Sequence, residues 1–136
     1  GAGHRRGTRE IEETISSQPG VAEVAGVGVA NSLKGQVALA FAVVRDVNAV
    51  QSAEQRSAIE AEVMKLVDDR LGAVARPARV LLVTALPKTR SGKLLRRALQ
   101  AVAENRDPGD LSTVEDPAVL AQIRDALQGS APAEQA

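Results

Sequence analysis

The chain predicts an α+β domain, a mainly antiparallel three-stranded sheet packed by helices. Two observations carry this: four stretches repeat apolar residues at helical spacing behind recognisable caps, and three short β-branched runs are bounded by turn residues. Three strands are too few for a doubly wound sheet, and no internal repeat is visible. Strands mixed with helices in so short a chain fit a small α+β sandwich. The 136 residues, 44% of them hydrophobic, suffice for one compact domain with a real core.

Residues 1–10 form a glycine-punctuated basic loop in this reading, and Thr8 caps a helix bearing Ile11 and Ile15 on one face, with Glu10, Glu12 and Glu13 in its first turn. Pro19-Gly20 stops it. Val21–Ala30 and Val37–Val44 are strands joined by the loop Asn31–Gly35. Within the first, Gly26-Val27-Gly28 starts a dinucleotide fingerprint, but Asn31 takes the third glycine position and no helix follows. Small residues there instead let a helix pack closely on the sheet. Ser52 and Gln55 make a capping box for a helix with Ile59, Val63, Leu66, Val67 and Leu71 on its buried face and Glu54, Glu60, Glu62, Asp68 and Asp69 on the other. Gly72 ends it. Val80–Val83 is a buried strand, Leu94, Leu95, Ala98, Leu99 and Val102 mark a helix, and Asp116-Pro117 starts a last helix carrying Val119, Leu120, Ile123 and Leu127. The domain is expected over residues 1–129, followed by a disordered tail at 130–136.

Composition excludes several functions. There is no cysteine and only one histidine, His4, so neither a disulfide framework nor a thiolate or histidine metal cluster is available. The absence of disulfides agrees with a cytoplasmic protein. No apolar stretch approaches a membrane span, and no signal-peptide pattern is present. Seventeen basic residues balance seventeen acidic ones, and Phe41 is the sole aromatic. Single-stranded nucleic acid binding generally uses stacking platforms, so nucleic acid is not an expected partner. The charge is nevertheless uneven: six basic residues face only Glu104 between Lys88 and Arg106. A local basic patch on a neutral chain suits a small anion better than a polyanion.

That patch opens with Pro87-Lys88-Thr89-Arg90-Ser91-Gly92-Lys93, between the third strand and the next helix. Ser91 is placed to cap a helix beginning at Lys93, and a helix start beside Lys88, Arg90 and Lys93 would hold a phosphate or carboxylate. Solvated strand-to-helix turns share this composition, and spacing alone favours that plainer alternative. A P-loop is excluded: Pro87 and Leu94 stand where it needs a glycine and a hydroxyl residue.

Four motifs in order resemble the short-chain acyl-CoA synthetases, the acetyl-CoA and propionyl-CoA synthetase group of the adenylate-forming superfamily. They are Gly3-His4-Arg5 leading to Glu10-Ile11-Glu12, the turn Leu33-Lys34-Gly35-Gln36, the Pro87–Lys93 turn, and Gly109-Asp110-Leu111-Ser112-Thr113. The resemblance covers nearly the whole chain and implies the mobile C-terminal domain of such a ligase, without the large N-terminal adenylation domain. It implies ATP with Mg and coenzyme A as substrates of the full-length enzyme, with none tightly bound to this domain and no metal site in it. Lys93 matches the adenylation lysine. Gly3 matches a position that leaves room for the pantetheine arm of coenzyme A, and Arg5 one that contacts its phosphate. Arg90 is a further anion contact, whereas His4 is expected to be packed or solvated without chemistry and Arg6, Arg96 and Arg97 to be solvated surface charges. Asp68 falls near a position where relatives carry a second coenzyme A-binding arginine, with Arg70 or Arg79 as substitutes. The resemblance further implies reversible acetylation of Lys93 by a Gcn5-like protein acetyltransferase and its removal by a sirtuin-type deacylase. A stand-alone interaction module serving as an acetyltransferase substrate is the competing function.

Overall fold

A computed structural model of the protein describes the backbone of residues 2–129 and the side chains of residues 8–129. The elements follow the expected order: α1 (Ala2–Ser16), β1 (Val21–Asn31), β2 (Gly35–Val44), α2 (Ala53–Leu71), β3 (Arg79–Leu82), α3 (Arg96–Ala103) and α4 (Ala118–Gly129), with single 3-10 turns at Val47–Val50 and Ala73–Ala75. The strands form one sheet in the order β1-β2-β3. The long β1/β2 hairpin is antiparallel, from Val21 opposite Val44 to Asn31 opposite Gly35, whereas the short β3 runs parallel to β2, with Phe41 beside Leu81. A hairpin needs only a tight turn, but a parallel neighbour needs a crossover, and α2 supplies it.

Alternation along β2 builds the core on both faces of the sheet. Leu39 and Phe41 point to one side, where Leu81, Ala98, Leu99, Val102, Leu120 and Ile123 bring α3 and α4 against the sheet. Ala40 and Ala42 point to the other, joining Ile11 and Ile15 of α1 with Val63 and Val67 of α2. Small residues on that second face let the helices sit close. The same logic explains Gly26, where a Cβ would lie 3.4 Å from Thr8 Cβ and 3.6 Å from Glu12 Cγ. Gly26 thus lies against α1, whereas a Cβ at Gly28 would meet the Gln36 side chain of β2, 2.9 Å from its Oε1.

The caps follow the chemistry of their residues. Gln55 N–H donates to Ser52 Oγ at 3.1 Å and Ser52 N–H to Gln55 Oε1 at 3.0 Å, completing the capping box of α2, and Gly72 ends that helix. Asp116 Oδ1 accepts from Ala118 N–H at 3.1 Å ahead of α4. Three local expectations change, the first being that the expected loop over residues 1–10 is helical from Ala2 onward. Thr8 lies inside α1 and is not its cap, because a glycine at position 7 weakens a helix without breaking its ladder as proline would. Glu60 leaves the solvated face of α2: its Oε2 accepts from Leu82 N–H at 3.4 Å, and burial raises its carboxyl above the ordinary range against the opposing effects of that bond and of Arg79 and Arg56.

β1 is an edge strand, and three side chains cover its outward backbone groups. Glu12 Oε2 accepts from Gly26 N–H at 2.6 Å and from Arg96 Nη1 at 3.1 Å; Arg96 Nη1 also donates to the Gly26 carbonyl at 2.6 Å. Gln100 Nε2 donates to the Gly28 carbonyl. Arg96, expected as a solvated charge, thus clasps α3 to the sheet edge and to α1. Glu12→Ala strips the Gly26 amide and unpairs Arg96 together, and should cost about 1–2 kcal/mol in urea denaturation, whereas Glu12→Gln, which keeps an acceptor, should lose less.

Candidate active site

The turn after β3 is anchored before it is exposed. Val83 N–H donates to the Ala42 carbonyl at 2.9 Å, and Leu86 and Pro87 are buried. Lys88 then pairs with Leu94 and Thr89 with Val114 in isolated antiparallel bridges. Gly92 N–H donates to the Thr89 carbonyl at 2.9 Å, Thr89 N–H to the Lys93 carbonyl at 2.9 Å, and Leu95 N–H to the Pro87 carbonyl at 2.8 Å. Gly92 has φ +90°, a left-handed conformation that an L-residue with a side chain resists. A tight hairpin-like turn results, with Lys93 on its returning arm.

This geometry corrects the expected helix start. α3 begins at Arg96, behind Leu95, with no side-chain cap. The Lys93 carbonyl accepts from Thr89 N–H across the turn, ahead of the helix, and the Ser91 hydroxyl lies 3.0 Å from Thr89 Oγ1 instead of capping a helix. Any anion at this turn meets a lysine on a rigid hairpin, not a helix N-terminus.

The cations of the patch separate by partner. Lys88 Nζ pairs with Glu23 Oε1 at 2.6 Å. Arg90 Nη1 donates to the Ser112 carbonyl at 3.3 Å, Arg97 Nη1 to the Pro108 carbonyl at 3.0 Å, and Arg106 pairs with Glu104 at 2.6 Å. With Arg96 held by Glu12, every basic side chain from Lys88 to Arg106 except Lys93 has a described partner. Lys93 is exposed, and its ammonium makes no hydrogen bond or ion pair with a described residue. Arg90, expected as an anion contact, and Arg97, expected as a solvated charge, both also bond to carbonyls of the segment 107–115. That segment is self-braced too: the Ser112 backbone N–H donates to Asp110 Oδ1 at 2.9 Å and holds the Asp110 carboxyl below its ordinary range.

The candidates Asp68, Arg70 and Arg79 find partners away from Lys93. The coenzyme A candidates Gly3 and Arg5, with His4 and Arg6, lie where side-chain surroundings are outside the described residues, as does the tail 130–136. Asp68 accepts from Arg76 Nε at 2.8 Å and Nη2 at 2.7 Å, so this carboxylate is fully engaged by a neighbouring arginine. Arg70 donates to Ser17 Oγ at 3.1 Å, and Arg79 donates to the Leu127 carbonyl at 3.5 Å. A cleft of about 450 Å³ flanks the turn, between Glu12, Glu13 and Ser16 of α1 and Lys88, Gly92 and Leu94. A larger one of about 720 Å³, with Lys34 and Arg76 on its rim, does not reach Lys93. Among the described residues no cluster of His, Cys, Asp or Glu could hold a metal ion, and no helix is long and apolar enough to cross a membrane.

Residues 10–93 match the family model described as the AMP-binding enzyme C-terminal domain. The chain is 57% identical over 127 residues to the propionate–CoA ligase of Escherichia coli, covering 93% of this chain and 20% of that protein. It is 41% identical over 127 residues to the acetyl-coenzyme A synthetase of Pyrobaculum aerophilum, covering 93% and 18%. The crystal structure of apo MatB from Rhodopseudomonas palustris is similar with a TM-score of 0.60 at 30% identity, covering 72% of this chain and 18% of that one. The chain thus spans about a fifth of the length of the curated relatives it matches.

Proposed function

Because the chain belongs to the AMP-binding enzyme C-terminal domain family, we propose that it serves an ATP-dependent short-chain carboxylate–CoA ligase as the domain that carries the adenylation lysine. The observation that carries this is the isolation of Lys93, an exposed cation without a partner among the described residues, on a turn closed by backbone hydrogen bonds. In the first half-reaction a carboxylate oxygen attacks the α-phosphorus of ATP, forming acyl-AMP as the bond to pyrophosphate breaks. Negative charge gathers on the phosphoryl oxygens, where a preplaced ammonium stabilises it. In the second, the thiolate of coenzyme A attacks the acyl carbon and AMP leaves. Mg enters with ATP and shares its phosphate charge.

Lysine suits this task as a point charge on a flexible stem, able to enter an active site completed by another domain and then withdraw. That other domain is an N-terminal adenylation domain of the same polypeptide, which would hold most of the ATP and acyl pockets. Gly3 and Arg5 are proposed as the coenzyme A contacts, the first by leaving room for pantetheine and the second by pairing with phosphate. Arg90, bonded to the Ser112 carbonyl, acts on the turn more than on the anion. The test is reconstitution: full-length protein supplied with MgATP and acetate or propionate should form acyl-AMP and then acyl-CoA. Failure with both acids, from folded protein, would overturn the assignment.

Exposure of Lys93 also favours regulation at the same atom, by a Gcn5-like acetyltransferase and a sirtuin-type deacylase. Acetylation removes the charge that adenylation uses. Lys88 must first break its 2.6 Å ion pair with Glu23 to enter an acetyltransferase, and Lys34 sits on the hairpin tip without a neighbouring cation in sequence. Peptide mass spectrometry after enzymatic acetylation should find Lys93 modified well ahead of Lys88 and Lys34; equal modification would contradict this.

A further inference from the structure

A lysine side chain has too many rotamers for a turn to fix its tip. What a fold can fix is the backbone from which the stem departs, and here one residue holds it on both sides. Lys93 N–H donates to Thr89 Oγ1 at 3.2 Å, and Thr89 N–H donates to the Lys93 carbonyl at 2.9 Å. The Thr89 carbonyl closes the same turn by accepting from Gly92 N–H at 2.9 Å. No other described residue bonds both amide groups that flank the Lys93 Cα.

Thr89 is itself held from outside the turn. It bridges to Val114, which is 2% exposed, and Glu115 N–H donates to the Lys88 carbonyl at 2.8 Å. Arg90 ties the next residue of the turn to the Ser112 carbonyl. The motif Gly109–Thr113, to which the chemistry assigned no part, therefore leads directly into a strap over the lysine turn. β-Branching adds to the effect, because Thr has fewer side-chain rotamers than Ser and presents its hydroxyl with less freedom.

We infer that Thr89 is the positioning residue of Lys93, its hydroxyl and amide setting the direction from which the lysine stem leaves the turn, with residues 111–115 as the strap that holds Thr89 in place. The inference rests on the assignment of Lys93 to adenylation. It assigns Thr89 no contact with substrate. It predicts that loss of the hydroxyl misdirects the ammonium in the transition state while leaving substrate binding and the second half-reaction intact.

The test uses the full-length ligase with Thr89→Val, which keeps the shape and removes the acceptor, Thr89→Ser, which restores it, and Lys93→Ala as reference. Misplacement of a reacting group by about an ångström costs up to ~100-fold in rate, so Thr89→Val should slow the maximal rate of pyrophosphate release about tenfold or more. KM for ATP and for the acid, and the rate of thioester formation from supplied acyl-AMP, should stay within about twofold of wild type, since neither depends on where Lys93 points. Thr89→Ser should recover most of the lost rate. Unchanged pyrophosphate release in Thr89→Val, or equal loss of both half-reactions without recovery in the serine variant, overturns the inference. If the valine variant does not fold, Thr89→Ala compared with Thr89→Ser poses the same question, with thioester formation reporting folding. Retained adenylation in Lys93→Ala would instead overturn the assignment of Lys93, a distinguishable result.

Discussion

Lys93→Ala in the full-length ligase is expected to lower the rate of acyl-CoA formation from carboxylate and ATP by about 100- to 1,000-fold, the usual cost of removing one preorganised electrostatic group aimed at developing charge. The size of the effect follows from the isolation of Lys93. Its neighbours Lys88, Arg90, Arg96 and Arg97 each have a partner in Glu23, Ser112, Glu12 and Pro108, whereas Lys93 has none among the described residues. Lys93→Arg should recover part of the loss. It keeps the charge but replaces a compact ammonium with a planar fork of different reach. Steady-state acyl-CoA production at saturating substrates is the measurement, and a loss of less than about threefold in the alanine variant would show that the charge is not used as proposed.

Phe41→Ala is the change expected to do most damage to the fold. Phe41 is fully buried in the central strand, among Leu39, Leu81, Leu99 and Ile123, and is the only aromatic of the chain. Truncation removes its transfer free energy and leaves a cavity that β-sheet neighbours cannot collapse to fill, for a cost of about 3–5 kcal/mol. Small domains are stable by only about 5–15 kcal/mol, so the variant should sit near the edge of folding. Leu33→Ala serves as the contrast: Leu33 is 93% exposed at the hairpin tip and its loss should change stability by about 0.5 kcal/mol or less. Urea denaturation monitored by far-UV circular dichroism decides both, and a Phe41→Ala cost below about 1 kcal/mol would mean that α3 and α4 repack around the hole.

Most of the fold is legible because it is written in local chemistry. The capping box at Ser52 and Gln55, the stop at Gly72, the Asp116 cap and the apolar periods of α2, α3 and α4 each depend on residues within a few positions of one another. The alternation Leu39, Ala40, Phe41, Ala42 announces a strand buried on both faces, although not that β3 would join it in parallel. What stays hidden depends on contacts distant in sequence. Arg96 reads as a surface charge until β1 presents an uncovered edge beside it, 70 residues away from Gly26 in the chain. Thr89 reads as a turn residue until Val114 arrives to pin it.

The candidate site divides in the same way. The proposed role of Lys93 comes from the resemblance carried by the four ordered motifs, because the spacing Pro87–Lys93 alone favours a solvated turn. The geometry of the site is not legible, because Ser91 followed by a helical period looks like a cap, and only the bond from Thr89 N–H to the Lys93 carbonyl reveals a hairpin-like turn. Under the proposed assignment the demand on the lysine rises accordingly: without a helix terminus to share the work, the ammonium itself would have to meet the phosphate.

The half-reactions provide the decisive comparison. Single-turnover pyrophosphate release and thioester formation from supplied acyl-AMP should be measured side by side in wild-type and Lys93→Ala full-length protein. Loss of the first by about 100-fold or more with the second kept within about threefold is the result expected of a lysine that serves adenylation alone. Equal loss of both, or retention of both, would contradict it.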